Sequence, residues 1–127
     1  MIDLATTLSL HERLIDKYGG SKGLRDKGSL LAALARPYAT FDQRELYPTP
    51  SEKAAAIFES IIINHPFIDG NKRIAYFLMV IMLNESDFYI DATQDERYAM
   101  TISASKGDFR FEEIKQWLMA RIKNNDK

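Results

Sequence analysis

Apolar residues recur along this chain at helical spacing, and capping residues, glycines and prolines punctuate the periodic stretches. Leu10, Leu14 and Tyr18 give a first stripe. It predicts a helix capped by Thr6 or Thr7, running to about Lys17 and ended by Gly19-Gly20. Ser21 to Gly28 reads as loop. A short helix over about Ser29 to Arg36 carries Leu30, Leu31 and Leu34, with Asp26 or Ser29 as its cap and Pro37 as its stop. Thr49-Pro50-Ser51-Glu52 combines a capping box with proline at the first helical position. The helix it opens should run to about Asn64, where Pro66 pushes His65 out of the helical region.

Ten apolar residues, Ile74 to Leu83, then follow without a break. A helix apolar nearly all round is enclosed nearly all round, so this run predicts a buried central helix over about Asn71 to Asn84, with Asn71 as its N-cap. Phe88-Tyr89-Ile90 reads as a short extended piece. Thr93-x-x-Glu96 is a second capping box, opening a helix that ends near Gly107, and a last helix over about Phe111 to Ile122 buries Ile114, Trp117 and Leu118. The sum is an all-α fold: one domain over residues 1–127, a compact helical bundle around the central helix. The longest stretch without helical period, Tyr38 to Pro48, mixes Tyr38, Phe41 and Tyr47 with Asp42, Arg44 and Glu45, and has room for a short β-hairpin. Loops of this length in a small domain are often functional or mobile.

Composition narrows the function classes. Hydrophobic content of 46% and charged content of 28% are those of a soluble globular chain. A net charge of -1 argues against direct nucleic-acid binding and against adhesion to an anionic membrane. The absence of cysteine excludes disulfides, thiolate metal sites and a cysteine nucleophile, and fits a reducing compartment. Met1-Ile2-Asp3-Leu4 has no secretory character, and the ten-residue apolar run is too short for a bilayer, which needs about 20. A cytoplasmic location is expected.

The chemistry concentrates in His65-Pro66-Phe67-Ile68-Asp69-Gly70-Asn71-Lys72-Arg73. These nine residues hold an imidazole, a carboxylate, a carboxamide and two cations at the start of the central helix. Lys72 and Arg73 sit in its first turn, where the macrodipole disfavours cations by about 0.3–1 kcal/mol each. A bound polyanion would compensate, and phosphate is the obvious one. Arg73 can grip phosphate oxygens bidentately, Lys72 acts as a compact charge, and Gly70 admits a close backbone approach. An imidazole such as that of His65 suits proton abstraction from a hydroxyl near neutral pH; alone, a histidine before proline is more often a helix-end residue. Asp69 suits Mg²⁺ shared with substrate phosphates; alone, it is a turn aspartate, and Asn71 alone is only a cap. No Walker A loop or protein-kinase loop is present. His11-Glu12 is not a zinc motif, since Ile15 stands where the second histidine belongs.

The nine residues resemble the signature of the Fic/Doc family, H-x-F-x-[DE]-G-N-x-R, matched at His65, Phe67, Asp69, Gly70, Asn71 and Arg73. A second stretch, His11 to Leu34, with Tyr18-Gly19-Gly20 and Gly23-Leu24-Arg25-Asp26-x-Gly28, is similar to the N-terminal part of the Doc (death-on-curing) toxin branch. The resemblance implies a Fic-like helical fold acting on ATP with Mg²⁺. It gives His65 the role of activating a target hydroxyl, Asp69 that of holding the metal, and Gly70, Asn71, Lys72 and Arg73 that of holding phosphates. Lys72 stands where AMP-transferring members carry glycine, and Tyr76 where they carry a second arginine. Both departures point to the Doc branch. Likeness to that branch implies transfer of the γ-phosphate of ATP to a target protein, with translation elongation factor EF-Tu as the expected target and a Phd-type antitoxin as the expected partner. The alternatives are AMP transfer to a protein hydroxyl and a catalytically idle binding module of the same fold. Phe77 stands where a phage member of the family has a polar residue. The resemblance also makes Tyr38 to Pro48 a flap that aligns the target, with Tyr38, Phe41 and Tyr47 as its candidate contacts. No inhibitory S/T-x-x-x-[EA]-G-N pattern is found, so inhibition from a separate antitoxin helix is expected.

Overall fold

Asp3, rather than Thr6 or Thr7, starts the first helix. In the computed structural model, which describes residues 1–125, its carboxylate accepts the Thr6 N–H at 2.7 Å at the head of α1, Leu4–Tyr18. Thr7 lies inside, fully buried, and donates its hydroxyl to the Asp3 carbonyl. An acid one turn earlier out-competes the threonines because it also meets the positive end of the helix. The second helix, α2, is Lys27–Ala35 and is capped by Asp26. Pro37 stops α2 as expected, the helix ending at Ala35, and itself sits inside a 3₁₀ turn, Arg36–Tyr38, where its missing N–H costs nothing.

The expected hairpin comes next. β1, Thr40–Phe41, pairs antiparallel with β2, Arg44–Glu45, through the turn residues Asp42 and Gln43, both at positive φ. Helix α3, Pro50–Asn64, begins on the Thr49 and Glu52 capping box, and α4, Asn71–Glu85, is the helix expected at the centre. The two make the most extensive helix pair in the fold. The more enclosed member is α3, which buries every residue from Ala54 to Ile62, whereas α4 exposes Lys72, Arg73 and Phe77. Ala54, Ala55 and Ala56 let α3 be surrounded on all sides, so α3 shares the centre with α4, the helix expected there.

β3, Phe88–Ile90, and α5, Gln94–Ser105, lie where the pattern places them, α5 on its Thr93 and Glu96 capping box. The end of the chain differs. Helix α6 is Phe111–Met119 and stops short of Ile122, which begins β4, Ile122–Asn124, paired antiparallel with β3. Leu118 and Ile122 read as neighbours on a helical face, but pairing with a strand more than thirty residues earlier overrides that local preference. All six helices contribute to the core: Leu14, Leu30, Phe58, Leu78, Met100 and Trp117 are examples, one from each. No helix among the described residues is long and apolar enough to cross a membrane.

Candidate functional site

A cleft of about 600 Å³ opens where α3 gives way to α4, with α5 along its other wall. His65, Asp69, Gly70, Asn71, Lys72 and Arg73 all line it. The structure thus brings together every residue proposed for catalysis, metal and phosphate. Tyr38, Phe41 and Tyr47 are not among its lining residues. Tyr47 is turned to other work: its hydroxyl accepts from Arg36 Nε at 3.0 Å and its ring packs on Phe111. Tyr38 lies under the Lys53 ammonium, and only Phe41, 75% exposed at the hairpin tip, is free to meet another molecule.

The loop between the two helices is clamped from outside. His65 caps α3 in the left-handed region, φ 47° and ψ 60°, a conformation that costs a non-glycine residue about 1 kcal/mol or more unless it is held. Arg25 holds it, donating from Nε to the His65 carbonyl at 2.7 Å and from Nη2 to that of Asn64. The Arg25 and Asp26 N–H groups both donate to the Pro66 carbonyl, and Ile68 N–H donates to Gly23. From within, Asn71 pins the loop with both ends of its carboxamide: Oδ1 accepts from Phe67 N–H and Nδ2 donates to Phe67 carbonyl, each at 2.9 Å. Asn71 is therefore not the N-cap expected. Gly70 occupies that position at φ 74°, and no side chain caps α4.

Asp69 is fixed three times. Its Oδ2 accepts the Ser21 N–H at 3.1 Å, its Oδ1 accepts the Gly70 N–H at 2.8 Å, and its carbonyl lies 2.7 Å from Nε2 of the buried His11. The Ser21 N–H first, then that of Gly70, hold this carboxyl below its usual range, so it is a carboxylate at neutral pH. Its approach to the first loop demands glycine: a Cβ on Gly20 would meet Asp69 Oδ2 at 2.8 Å, at a φ of +116°. The His11 ring stacks on Phe67, 3.7 Å between centroids and 9° from parallel. His11, Arg25 and Tyr18 are the site residues that motif reading missed. They carry no catalytic signature; the likeness of His11 to Leu34 to Doc proteins was the one signal that covered them.

Lys72 and Arg73 are exposed in the first turn of the uncapped α4, and among the described residues neither has a carboxylate in salt-bridge contact. Arg73 is steadied instead by the Tyr18 ring, 4.2 Å from its guanidinium carbon. An uncapped helix N-terminus with two unpaired cations carries positive potential that attracts anions. Beyond them, Tyr76 has its hydroxyl buried with no hydrogen-bond partner among the described residues, and burial raises the phenol's pKa despite the nearby Arg97 cation. Among the described residues no three acidic or imidazole groups converge to hold a metal unaided. One ionised, exposed carboxylate beside an anion cradle fits Mg²⁺ as it usually binds, through one or two carboxylates, substrate phosphates and water.

Comparison with known proteins identifies the family. The chain is 39% identical over 84 residues to Toxin Doc of Mycolicibacterium smegmatis (strain ATCC 700084 / mc(2)155), a match covering 61% of this chain and 65% of that protein's length. Residues 1–83 match the profile of the Fic/DOC family, a segment that contains the clamp, the loop and most of α4. The chain belongs to the Fic/DOC family.

Proposed function

We propose that the chain is a Doc-type toxin that transfers the terminal phosphate of ATP to a hydroxyl of a target protein. The observation that carries this reading is the pair Lys72 and Arg73, exposed and without carboxylate partners at an uncapped helix start, in one cleft with His65 and Asp69. A polyphosphate satisfies all three features at once: the dipole, the free N–H groups and the two cations. Phosphoryl transfer asks of a protein mainly positioning and charge neutralisation, which this loop provides. Lys72, in place of the glycine of AMP-transferring relatives, adds a charge where the reacting phosphate sits and favours phosphate over AMP transfer.

In this reading the His65 imidazole takes the proton of the target hydroxyl. The hydroxyl oxygen forms its bond to the γ-phosphorus as the bond from that phosphorus to the β–γ bridging oxygen breaks. ADP leaves, and Arg73, Lys72 and the α4 N–H groups hold the charge that develops on the phosphate oxygens. Mg²⁺, held by Asp69 and the phosphates, would neutralise charge on the triphosphate. The clamp of Arg25, Asn71 and His11 keeps His65 and Asp69 in place through the reaction, so that no energy is spent on reorganising them. The name of the M. smegmatis relative supports the toxin role, and that role implies an antitoxin. The likeness to Doc proteins makes EF-Tu the first target to test and a Phd-type antitoxin the first partner.

Labelled ATP tests the reading. Label at the γ-phosphate should reach protein and label at the α-phosphate should not. The reverse pattern would make the chain an adenylyltransferase. Growth arrest that survived both His65→Ala and Asp69→Ala would make it an idle binding module.

A further inference from the structure

The loop between α1 and α2 runs antiparallel to the motif loop and bonds to it step after step. Ser21 N–H meets the Asp69 carboxylate, the Gly23 carbonyl accepts from Ile68 N–H at 3.0 Å, and Leu24 bridges Phe67. The Arg25 and Asp26 N–H groups share the Pro66 carbonyl at 2.7 and 2.9 Å. The backbone rungs stop there, because the chain turns into α2 at Lys27. His65 is the next residue in line, and a side chain reaches it in place of a peptide. Arg25 Nε donates to its carbonyl at 2.7 Å, and Nη2 donates to that of Asn64.

His65 needs that hold more than its neighbours do. It is a non-glycine residue in the left-handed region, and it precedes Pro66, whose ring favours an extended residue before it. Both local preferences oppose the observed backbone, and such a conformation persists only where its surroundings over-determine it. The imidazole gives no help. The hydrogen bonds to His65 among the described residues are made by its backbone: its N–H donates to the Ile61 carbonyl at 3.1 Å, and its carbonyl accepts from Arg25. A general base is ordinarily aimed by a third group bonded to its ring. This exposed ring has none among the described residues, so its direction is set through the backbone. Arg25 is itself exposed and does not line the cleft. It has no carboxylate in salt-bridge contact among the described residues. Its charge is answered by two carbonyls at the C-terminal end of α3, where the helix dipole favours a cation.

We propose that Arg25 is a positioning residue for the reaction: from outside the cleft it aims the His65 imidazole by holding the His65 peptide left-handed. The proposal rests on His65 as the base, whichever phosphate of ATP is transferred. Without the guanidinium, the peptide relaxes toward the extended form that Pro66 favours, and the ring swings away from the hydroxyl it is to deprotonate. Asp69 keeps its bonds to Ser21 and Gly70, so the metal and phosphate end of the site stays as it is. Arg25→Ala isolates this one rung, since the variant retains the backbone N–H that meets Pro66.

Transfer from labelled ATP to the proteins of a bacterial extract, with the label at whichever phosphate the native chain delivers, reads the rate; calorimetry with Mg²⁺ present reads ATP affinity. Arg25→Ala should lower the maximal rate about a hundredfold, the scale of a reacting group misplaced from a distance, and leave the KM and the Kd for ATP unchanged. Guanidinium ion at millimolar concentration should restore rate to this variant, and sodium chloride at the same concentration should not. Lys27→Ala, which removes another exposed cation two residues on, should keep the native rate. The chain has two histidines, so the Cα resonance of His65 in histidine-labelled protein is identified by its absence from His65→Ala. It should leave the left-handed position in Arg25→Ala and return on addition of guanidinium. If Arg25→Ala does not fold, Arg25→Lys, which keeps the charge at the end of α3 without two parallel N–H groups, reads the same split between rate and ATP affinity. A native rate in the variant, a loss of ATP affinity equal to the loss of rate, a loss that guanidinium leaves untouched, or a His65 resonance that does not move overturns the positioning role and leaves His65 standing as the base. A native chain that transfers label from neither phosphate overturns both.

Discussion

The chain holds two clusters of opposite charges, and they are built on opposite terms. In the first, Glu59 of α3 is only 5% exposed and fully partnered: Arg36 Nη1 donates to Oε1 at 2.8 Å, while Arg110 Nε and the Phe111 N–H donate to Oε2 at 3.0 and 2.7 Å. Arg36 reaches further, to Ser60 and Tyr47. Every strong group there is answered by another, and the cluster ties α3 to the 3₁₀ turn and to the start of α6. In the second, Asp69 is anchored by backbone N–H groups, while Lys72 and Arg73 stand exposed with no carboxylate in contact among the described residues. The first is complete and stabilises; the second anchors its carboxylate and leaves both of its cations unanswered.

The largest effect should separate the two outright. His65→Ala should lower phosphate transfer by about a thousandfold, the scale of a lost general base, and shift the melting temperature little. A residual rate near that of the native chain would remove His65 as the base. Glu59→Gln should do the reverse. It leaves two guanidinium groups short of their carboxylate and should cost about 3 kcal/mol in urea unfolding, with transfer per folded molecule unchanged.

The pH dependence sharpens that second result. Burial on its own would raise the Glu59 carboxyl; hydrogen bonds from Arg36 and Arg110 outweigh it and hold the group below its ordinary value of 4.5. Its contribution is therefore present above that value and is lost as pH falls through the lower, folded one. The stability gap between the native chain and the Gln variant should be full at pH 7 and should shrink on acidification below the ordinary value. A gap unchanged down to the acid transition would show that the charge is not what the cluster uses.

Asn71→Ala should blur the contrast, since its carboxamide serves fold and site at once. It frees two buried backbone groups of Phe67, and a loss of about 2 kcal/mol together with a fall in transfer is expected. Stability lost without activity would make Asn71 a structural residue alone. The smallest effect is expected at Tyr18→Ala, which removes the ring under Arg73: a rise of about threefold in KM for ATP and under about 1 kcal/mol of stability.

The order of helices was readable because it rests on local chemistry. The Thr49 and Thr93 capping boxes, Pro66 and the apolar run of α4 act within a few residues of themselves and appear as expected. Motif residues His65 to Arg73 were found together for the same reason, being contiguous. What was misread depended on partners far along the chain. Asn71 is a strong cap by type, but the buried Phe67 peptide claims both ends of its side chain. Ile122 fits a helix until β3 offers a strand.

Chain order and composition by themselves determined a helical protein with an imidazole, a carboxylate and two cations gathered at the head of an apolar helix, because helix periodicity and caps are short-range and the motif is contiguous. Tertiary structure alone decided how that loop is held and what it faces. Arg25, forty residues before His65, keeps the histidine left-handed; the first loop brings Gly20 and Ser21 onto Asp69; and α5 supplies the far wall of the cleft. Such contacts form only once the core has packed, since packing α1, α2 and α5 against the α3–α4 pair is what brings distant side chains within hydrogen-bond reach.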